Sequence, residues 1–244
     1  MLHERLDPRT AGDDDGRPDT GWTVTRAGLL DVNPIARLMQ AHRPFIDLDG
    51  DGLPDPLPDE EQAAPATRMI LSLGGLEHGE VWCARDGGDG PEVAAAAVWM
   101  PPDASGLAVN LHRMMARELG VPADPAPHDP GLAPLPSILT ATSELIAVLR
   151  GSSAQRVLIM LADDREGPDR LGLLAQLLAP VIATELAAGR EAFAVTLDPG
   201  QVTDLTALGF RPVLTAGLGA AELWLGAVHP ALKPPLDQPA TATV

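Results

Sequence analysis

The sequence predicts a mixed α/β fold in a single domain, and two observations lead to that prediction. Strand-like and helix-like segments follow one another in the order β-α-α-β-β-α-α-β-α-β-α-β-β. The chain of 244 residues can bury one sizeable core, and its 45% hydrophobic and 21% charged residues are ordinary for a globular domain. We place this domain at residues 22–229, between a disordered acidic lead-in (1–21) and a disordered proline-rich tail (230–244).

The first half of the domain is predicted to hold a strand, two helices and a hairpin. The segment WTVTRAG, residues 22–28, alternates as a strand does. Residues 29–42 and 60–75 have apolar side chains near helical spacing, and the second segment begins with an acidic turn that suits the helix dipole. Two apolar runs, Val81–Ala84 and Val93–Met100, flank a turn rich in Asp and Gly and therefore predict a β-hairpin.

The second half continues with a helical region and then alternating strands and helices. Residues 104–150 are expected to form two helices separated by a proline-rich loop. Gly189 is a typical residue to end a long helix. The remaining predicted elements are a buried strand at 155–163, the long helix at 170–190, a strand at 191–198, a short helix at 200–210, and a final strand pair at 211–216 and 221–228.

Charge and cysteine content exclude several classes of function. The net charge of -17 argues against non-specific binding to nucleic acid, which requires a basic surface. The chain has no run of 18 or more apolar residues and no apolar core near its N-terminus, so we expect neither a membrane span nor a signal peptide. The single cysteine, Cys83, fits a reducing cytoplasm. We therefore expect a cytoplasmic location. For the assembly we expect a monomer or homodimer.

Two longer stretches carry a resemblance to a known family. They are GEVWCARDGGDGPEVAAAAVWMPPD (79–103) and GREAFAVTLDPGQVTDLTALGFRPV (189–213). In order and spacing they resemble the GCN5-related N-acetyltransferase (GNAT) family, especially its branch around puromycin acetyltransferase, across roughly residues 22–229. The resemblance implies a mixed central sheet with helices on both faces. It also implies acetyl-CoA or another acyl-CoA as cofactor, held where the fourth and fifth strands splay apart, and a small amine, such as a natural product or antibiotic, as acceptor.

The family's cofactor loop, Gln/Arg-x-x-Gly-x-Gly/Ala, corresponds here to residues 169–174, and within it only Gly172 fits. In such a loop the N–H groups of a helix N-terminus hold the pyrophosphate, and small residues let the backbone approach it closely. The cofactor-binding residues that the resemblance implies are Arg170, Leu171, Gly172, Leu173 and Leu174.

Two departures make this cofactor motif degenerate. Asp169 replaces a neutral or basic residue, with Asp163, Asp164 and Glu166 nearby. A like charge a few ångströms from a diphosphate costs about 1 kcal/mol at surface dielectric. Leu174 replaces a small residue, and we expect its side chain to crowd the phosphate.

The catalytic residues also depart from the family. The position of the family's tyrosine acid corresponds to Leu205, and the chain contains no tyrosine. Losing a general acid slows such chemistry by about 10²–10⁴-fold without forbidding it, since solvent can protonate a thiolate. Asp163 and Asp198, both near strand ends that face the expected cleft, are the candidate general bases.

The segment DLDGDGLPD, residues 47–55, has two possible uses. Its carboxylates, at Asp47, Asp49, Asp51 and Asp55, resemble part of a calcium loop, although Pro58 stands where a complete loop has its bidentate Glu. Alternatively, Asp47, Asp49 and Asp51, together with His42, wall the acceptor pocket and attract a cationic amine without any metal.

Two functional hypotheses follow from these residues. The first is an acyl-CoA-dependent N-acyltransferase acting on a small amine. The second is a protein that keeps the fold but has lost acetyl transfer, and that binds a ligand or partner or performs other chemistry in the same cleft. The missing tyrosine and the acidic residues at the cofactor loop, among them Asp164 and Asp169, favour the second hypothesis, whereas Gly172 and the order of the elements favour the first.

Overall fold

The computed structural model describes residues 21–42, 53, 60–87, 92–102 and 144–230. The helix at Glu60–Met69 continues directly into a π-helical segment, Ile70–Leu76. The strands are β1 (Trp22–Arg26), β2 (Glu80–Asp86), β3 (Ala95–Met100), β4 (Arg156–Asp163), β5 (Ala192–Thr196), β6 (Arg211–Leu218) and β7 (Ala221–Val228). The helices are α1 (Val32–Ala41), α2 (Glu60–Met69), α3 (144–151), α4 (Asp169–Ala187) and α5 (Pro199–Ala207).

The strands form a seven-stranded mixed sheet in the order β1-β2-β3-β4-β5-β7-β6. Neighbouring strands pair antiparallel except β4 and β5, which pair parallel. The predicted hairpin is confirmed, because β2 and β3 pair in register from Glu80 with Trp99 to Ala84 with Ala95. Its turn at residues 88–91, like most of the region predicted as two helices at 104–150, lies outside the described residues.

Helices cover both faces of this sheet, as predicted. Alternate residues of β3 point to opposite faces, and all six are buried. Ala95, Ala97 and Trp99 belong to the core beneath α4 and α5. Ala96, Val98 and Met100 belong to the core that α1 and the π-helical segment cover.

Helix α4 crosses one face of the sheet with its most apolar side inward. Leu173, Leu174, Leu177 and Leu178 are fully buried there. Among the described helices, α4 alone has the length and hydropathy of a membrane span. The same properties are found in core helices of soluble proteins, and the packing of these leucines on the sheet is of that kind.

The C-terminal end of α4 is fastened by a buried carboxylate. Both oxygens of Glu185, whose side chain is 3% exposed, accept hydrogen bonds from Arg190 at 2.9 and 3.0 Å. Glu185 Oε2 also accepts from the main-chain N–H of Gln155, next to the start of β4, at 3.2 Å. Burial by itself raises the pKa of Glu185, but these hydrogen bonds together hold it below its ordinary value. Glu185 therefore couples the end of α4 to the strand beneath it.

Candidate functional site

The central feature of the site is an opening between β4 and β5. The two strands pair only from Arg156 with Ala192 to Leu158 with Ala194, and both then continue beyond the last pair. A cavity of about 310 Å³, mainly apolar, lies where they separate. We call it the apolar cavity; its walls are Met39, His42, Ile159, Met160, Leu161, Ala162, Val195, Thr196, Leu197, Gln201 and Leu223.

A second cavity of about 500 Å³ adjoins the first at the N-terminal ends of α4 and α5, and we call it the polar cavity. Among the described residues, four belong to the walls of both cavities: His42, Leu161, Ala162 and Gln201. The other residues lining the polar cavity are Asp163, Arg165, Arg170, Asp198, Gly200, Thr203 and Asp204.

The N-terminal end of α4 is exposed, and of its first-turn N–H groups that of Arg170 donates to Gly167 O at 3.3 Å. Gly167, with φ of 93°, turns the chain into the helix, and the N-cap residue Pro168 provides no side-chain cap. Leu171 and Gly172 are exposed, and a Cβ placed on Gly172 would meet no atom of the described residues within 4 Å apart from its own helix. First-turn N–H groups carry the partial positive charge of the helix, so this backbone fits an anionic group such as the diphosphate of CoA.

At the N-terminal end of α4 the main chain is exposed, but the Arg170 side chain already has hydrogen-bond partners. Arg170 donates two hydrogen bonds to the Asp163 carboxylate, at 2.8 and 3.0 Å, and a third to Asp204 Oδ2 at 2.6 Å. The hydrogen bond with Asp163, aided by that with Asp204, raises the pKa of the Arg170 guanidinium further above its ordinary value. Before any ligand binds, Arg170 is thus already neutralised by two carboxylates.

The two candidate bases lie in different surroundings. Asp163 is buried, and Arg170 occupies both of its oxygens, so proton abstraction there would require breaking a bidentate ion pair. Asp198 is half-buried in the polar cavity and is the N-cap of α5, where its Oδ1 accepts from the N–H of Gly200 at 2.7 Å. Both assignments stay predictions, and Asp198 is the more accessible of the two.

Three leucines that the family comparison singled out are core residues. Leu173 and Leu174 have no exposed surface, and Leu205 is 1% exposed. The expectation that Leu174 crowds a phosphate is wrong, because its side chain packs on the sheet. With no exposed surface on either main chain or side chain, Leu173 and Leu174 are not accessible to a ligand in this structure, whereas Leu171 and Gly172 are. Leu205 likewise turns away from the cleft, into the core beneath α4.

The acidic residues predicted near the N-terminus of α4 differ in their exposure and in their distance from Arg170. Asp164 is exposed and lies 3.2 Å from Arg165, which also contacts Asp86 and stacks over the Trp22 ring at 4.9 Å. Glu166 and Asp169 are exposed. The negative charges nearest to Arg170 are therefore Asp163 and Asp204, and the second of these was not predicted.

The predicted acceptor-binding residues are only partly described. His42, at the end of α1, lines both cavities, and its role beside the acceptor stays a prediction. Asp47, Asp49, Asp51 and Asp55 lie outside the described residues, so both proposed uses of that loop stay predictions. Within the described ranges, no group of three or more potential ligands could hold a metal ion.

Gln201 and Asp204 are among the cleft residues that sequence reasoning missed. They lie three positions apart on α5 and therefore on the same side of the helix. That spacing could have grouped them with Asp198. The direction in which this side faces depends on how α5 packs, and no local pattern gives that.

No protein-family model matches the chain, and no curated protein matches it in sequence. Several solved structures share its fold. An agmatine N-acetyltransferase mutant in its apo form is 16% identical, with a TM-score of 0.53 over 86% of this chain and 99% of that one. A polyamine N-acetyltransferase of Drosophila melanogaster, which catalyses formation of N-acetylagmatine, is 15% identical, with a TM-score of 0.52 over 85% and 99%. The C-terminal condensation domain of Ebony, in complex with β-alanyl-dopamine, is 10% identical, with a TM-score of 0.52 over 85% and 98%.

These similarities extend over nearly the whole of each solved chain. At such low identity they establish the fold, which is that of the GNAT acetyltransferases, as the sequence resemblance implied. The seven-stranded mixed sheet agrees with this assignment.

Proposed function

We propose that this chain is an acyl-CoA-dependent N-acyltransferase that acts on a small amine. The observation that carries the proposal is the opening between β4 and β5, with its apolar cavity and the open N-terminus of α4 beside it. This opening lies in a fold shared with solved enzymes that acetylate agmatine and polyamines. An elongated ligand with an anionic end and a less polar arm suits the two adjoining cavities.

The cofactor, when bound, supplies a thioester whose carbonyl carbon an amine can attack. The main-chain N–H groups at the start of α4 would hold its diphosphate. The apolar cavity would hold the arm and exclude water from the thioester. Asp198 is our preferred base for the amine, because its Oδ2 has no hydrogen-bond partner among the described residues. The thiolate would be protonated by solvent, since the chain has no tyrosine.

A positively charged acceptor agrees with the charge of the protein. The net charge of -17 and the carboxylates of Asp47, Asp49 and Asp51 would raise the local concentration of an amine near His42. A natural product or antibiotic, as in the puromycin-like branch, is the acceptor class we favour. The acyl group stays open, because the Ebony domain is in complex with a β-alanyl rather than an acetyl amide.

The second candidate is a GNAT-fold protein that binds a ligand or partner without acyl transfer. One arrangement favours it, namely the neutralisation of Arg170 by Asp163 and Asp204 at the place where an anion would bind. Leu205, buried where the family has its acid, agrees with the same candidate.

The proposal is tested at Gly172. Gly172→Leu places a bulky side chain over the open first turn of α4, and we expect it to weaken acetyl-CoA binding at least tenfold, as measured by isothermal titration. Gly151→Leu is the matched control, because Gly151 is also exposed with nothing within 4 Å of a Cβ, but it lies before the opposite end of β4. Equal affinity in Gly172→Leu and wild type would exclude this loop as the cofactor site.

A further inference from the structure

Gln201 forms a side-chain bridge across the opening between β4 and β5. Its Oε1 accepts a hydrogen bond from Thr196 Oγ1, at the end of β5, at 2.9 Å. Its Nε2 donates to the main-chain oxygen of Leu161, in β4, at 3.1 Å. The amide therefore connects the two strands beyond the point where their main chains stop pairing.

The register of the sheet explains why Leu161 needs this partner. Asp164 N–H donates to Ala94 O, so residues 160, 162 and 164 direct their main-chain groups towards β3. Leu161 lies between two of these residues, so its carbonyl points to the opposite side of β4, towards β5. Among the described strands none pairs with it there, and a buried carbonyl without a donor is unfavourable. Gln201 supplies the missing donor.

The bridge also lies between the two cavities. Of the four residues that line both, Leu161 and Ala162 belong to β4, His42 ends α1, and Gln201 alone reaches across the opening. A ligand that occupies only the polar cavity can leave this bridge intact. A ligand that extends from the polar cavity into the apolar one meets it.

We propose that Gln201 is a displaceable barrier that sets the affinity for acyl-CoA. This inference rests on the proposed function and concerns this chain's own side chain. Binding the full-length ligand requires the amide to leave Thr196 and Leu161, and the loss of those two hydrogen bonds reduces the observed affinity. Replacing Gln201 therefore strengthens the binding of acyl-CoA, although it also removes the hydrogen bonds that Gln201 makes in the free protein.

The test compares acetyl-CoA with ADP, which lacks the arm, by isothermal titration of wild type, Gln201→Ala and Gln201→Met. Methionine has a similar length but cannot form the bridge, so it separates hydrogen bonding from bulk. We expect both variants to bind acetyl-CoA about tenfold more tightly than wild type, and ADP with unchanged affinity. If only Gln201→Ala bound acetyl-CoA more tightly, side-chain bulk and not hydrogen bonding would be the barrier, which would overturn the proposed bridge. If ADP affinity rose as much as acetyl-CoA affinity, the barrier would not lie between the two cavities.

Thr196→Val provides a second variant. It removes one of the two hydrogen bonds of the bridge and leaves Gln201 in place, so acetyl-CoA affinity should rise by less than in Gln201→Ala. It also removes the acceptor of the main-chain N–H of Asp198, which lies 3.0 Å from Thr196 Oγ1. Wild type and all variants binding acetyl-CoA equally would refute the barrier and leave the proposed function standing. No binding of acetyl-CoA by any of them at millimolar concentration would refute both.

Discussion

At the scale of single residues, Arg170 separates the two functional hypotheses. A guanidinium at the start of α4 would suit a diphosphate, yet here it is held by Asp163 and Asp204. Asp163 is the buried partner, and its loss would leave the local fold damaged. Asp204 is the more exposed of the two and lies on the neighbouring helix, so its charge can be removed more safely.

Asp204→Asn is therefore expected to strengthen acetyl-CoA binding. The change removes one negative charge and frees part of Arg170 for the diphosphate, which should raise the affinity about threefold to tenfold in isothermal titration. Asp169→Asn, the control, removes the same charge from the exposed first turn of α4 without releasing Arg170. An equal effect in the two variants would mean that Arg170 takes no part. A loss of affinity in Asp204→Asn would contradict the proposal.

The residues of the cleft were predicted unevenly, for a physical reason. Asp163 ends a strand, and Asp198 and His42 come soon after a strand and a helix. Such ends commonly form sites, and all three residues line a cavity. Gln201 and Asp204 lie within α5, and their role depends on how that helix packs against β4. Leu174 was misjudged because a loop motif says nothing about which side of the helix faces the sheet.

At the scale of elements, the position of α4 depends on both of its ends. Its buried leucines pack against the sheet, and Glu185 in its last turn accepts a hydrogen bond from Gln155, next to the start of β4. Its N-terminal end, which the proposal assigns to the diphosphate, is held by Arg170. Long elements with strong periodicity, such as α4 and the β2–β3 hairpin, could be predicted. The insertion of β7 between β5 and β6 could not, because it depends on contacts remote in sequence.

Glu185→Gln tests how much the buried ion pair with Arg190 at the C-terminal end of α4 stabilises the fold. We expect a loss of about 1–3 kcal/mol in the free energy of unfolding at neutral pH, measured by chemical denaturation, because a buried charge-assisted pair is broken. Glu191→Gln is the control: Glu191 contacts His229 in a more exposed pair, and its replacement should cost no more than about 1 kcal/mol.

The pH dependence of that loss follows from the lowered pKa of Glu185. A carboxylate whose pKa is lower in the folded than in the unfolded state stabilises the fold above its unfolded value, ordinarily 4.5, and loses this contribution as the pH falls through the folded value. The difference between wild type and Glu185→Gln should therefore be largest at neutral pH and shrink below about pH 4.5. A difference independent of pH would show that packing, and not charge, is responsible.

At the scale of the whole molecule, fold and charge favour different parts of the proposed reaction. The fold places an open strand pair next to a helix N-terminus, which suits an anionic acyl carrier. The net charge of -17 suits a cationic acceptor and opposes the carrier. The fold class was predictable from the order of elements, whereas the balance between these two effects was not. The domain limits, the cytoplasmic location and the oligomeric state stay predictions.

The most direct measurement is isothermal titration of the unmodified protein with acetyl-CoA, with free CoA as comparison. We predict saturable binding at micromolar concentrations, because the open main chain of α4 and the apolar cavity outweigh the carboxylates around Arg170. Absence of binding of either ligand at millimolar concentration would contradict the acyltransferase. It would support the alternative, in which this fold holds a different ligand in the same cleft.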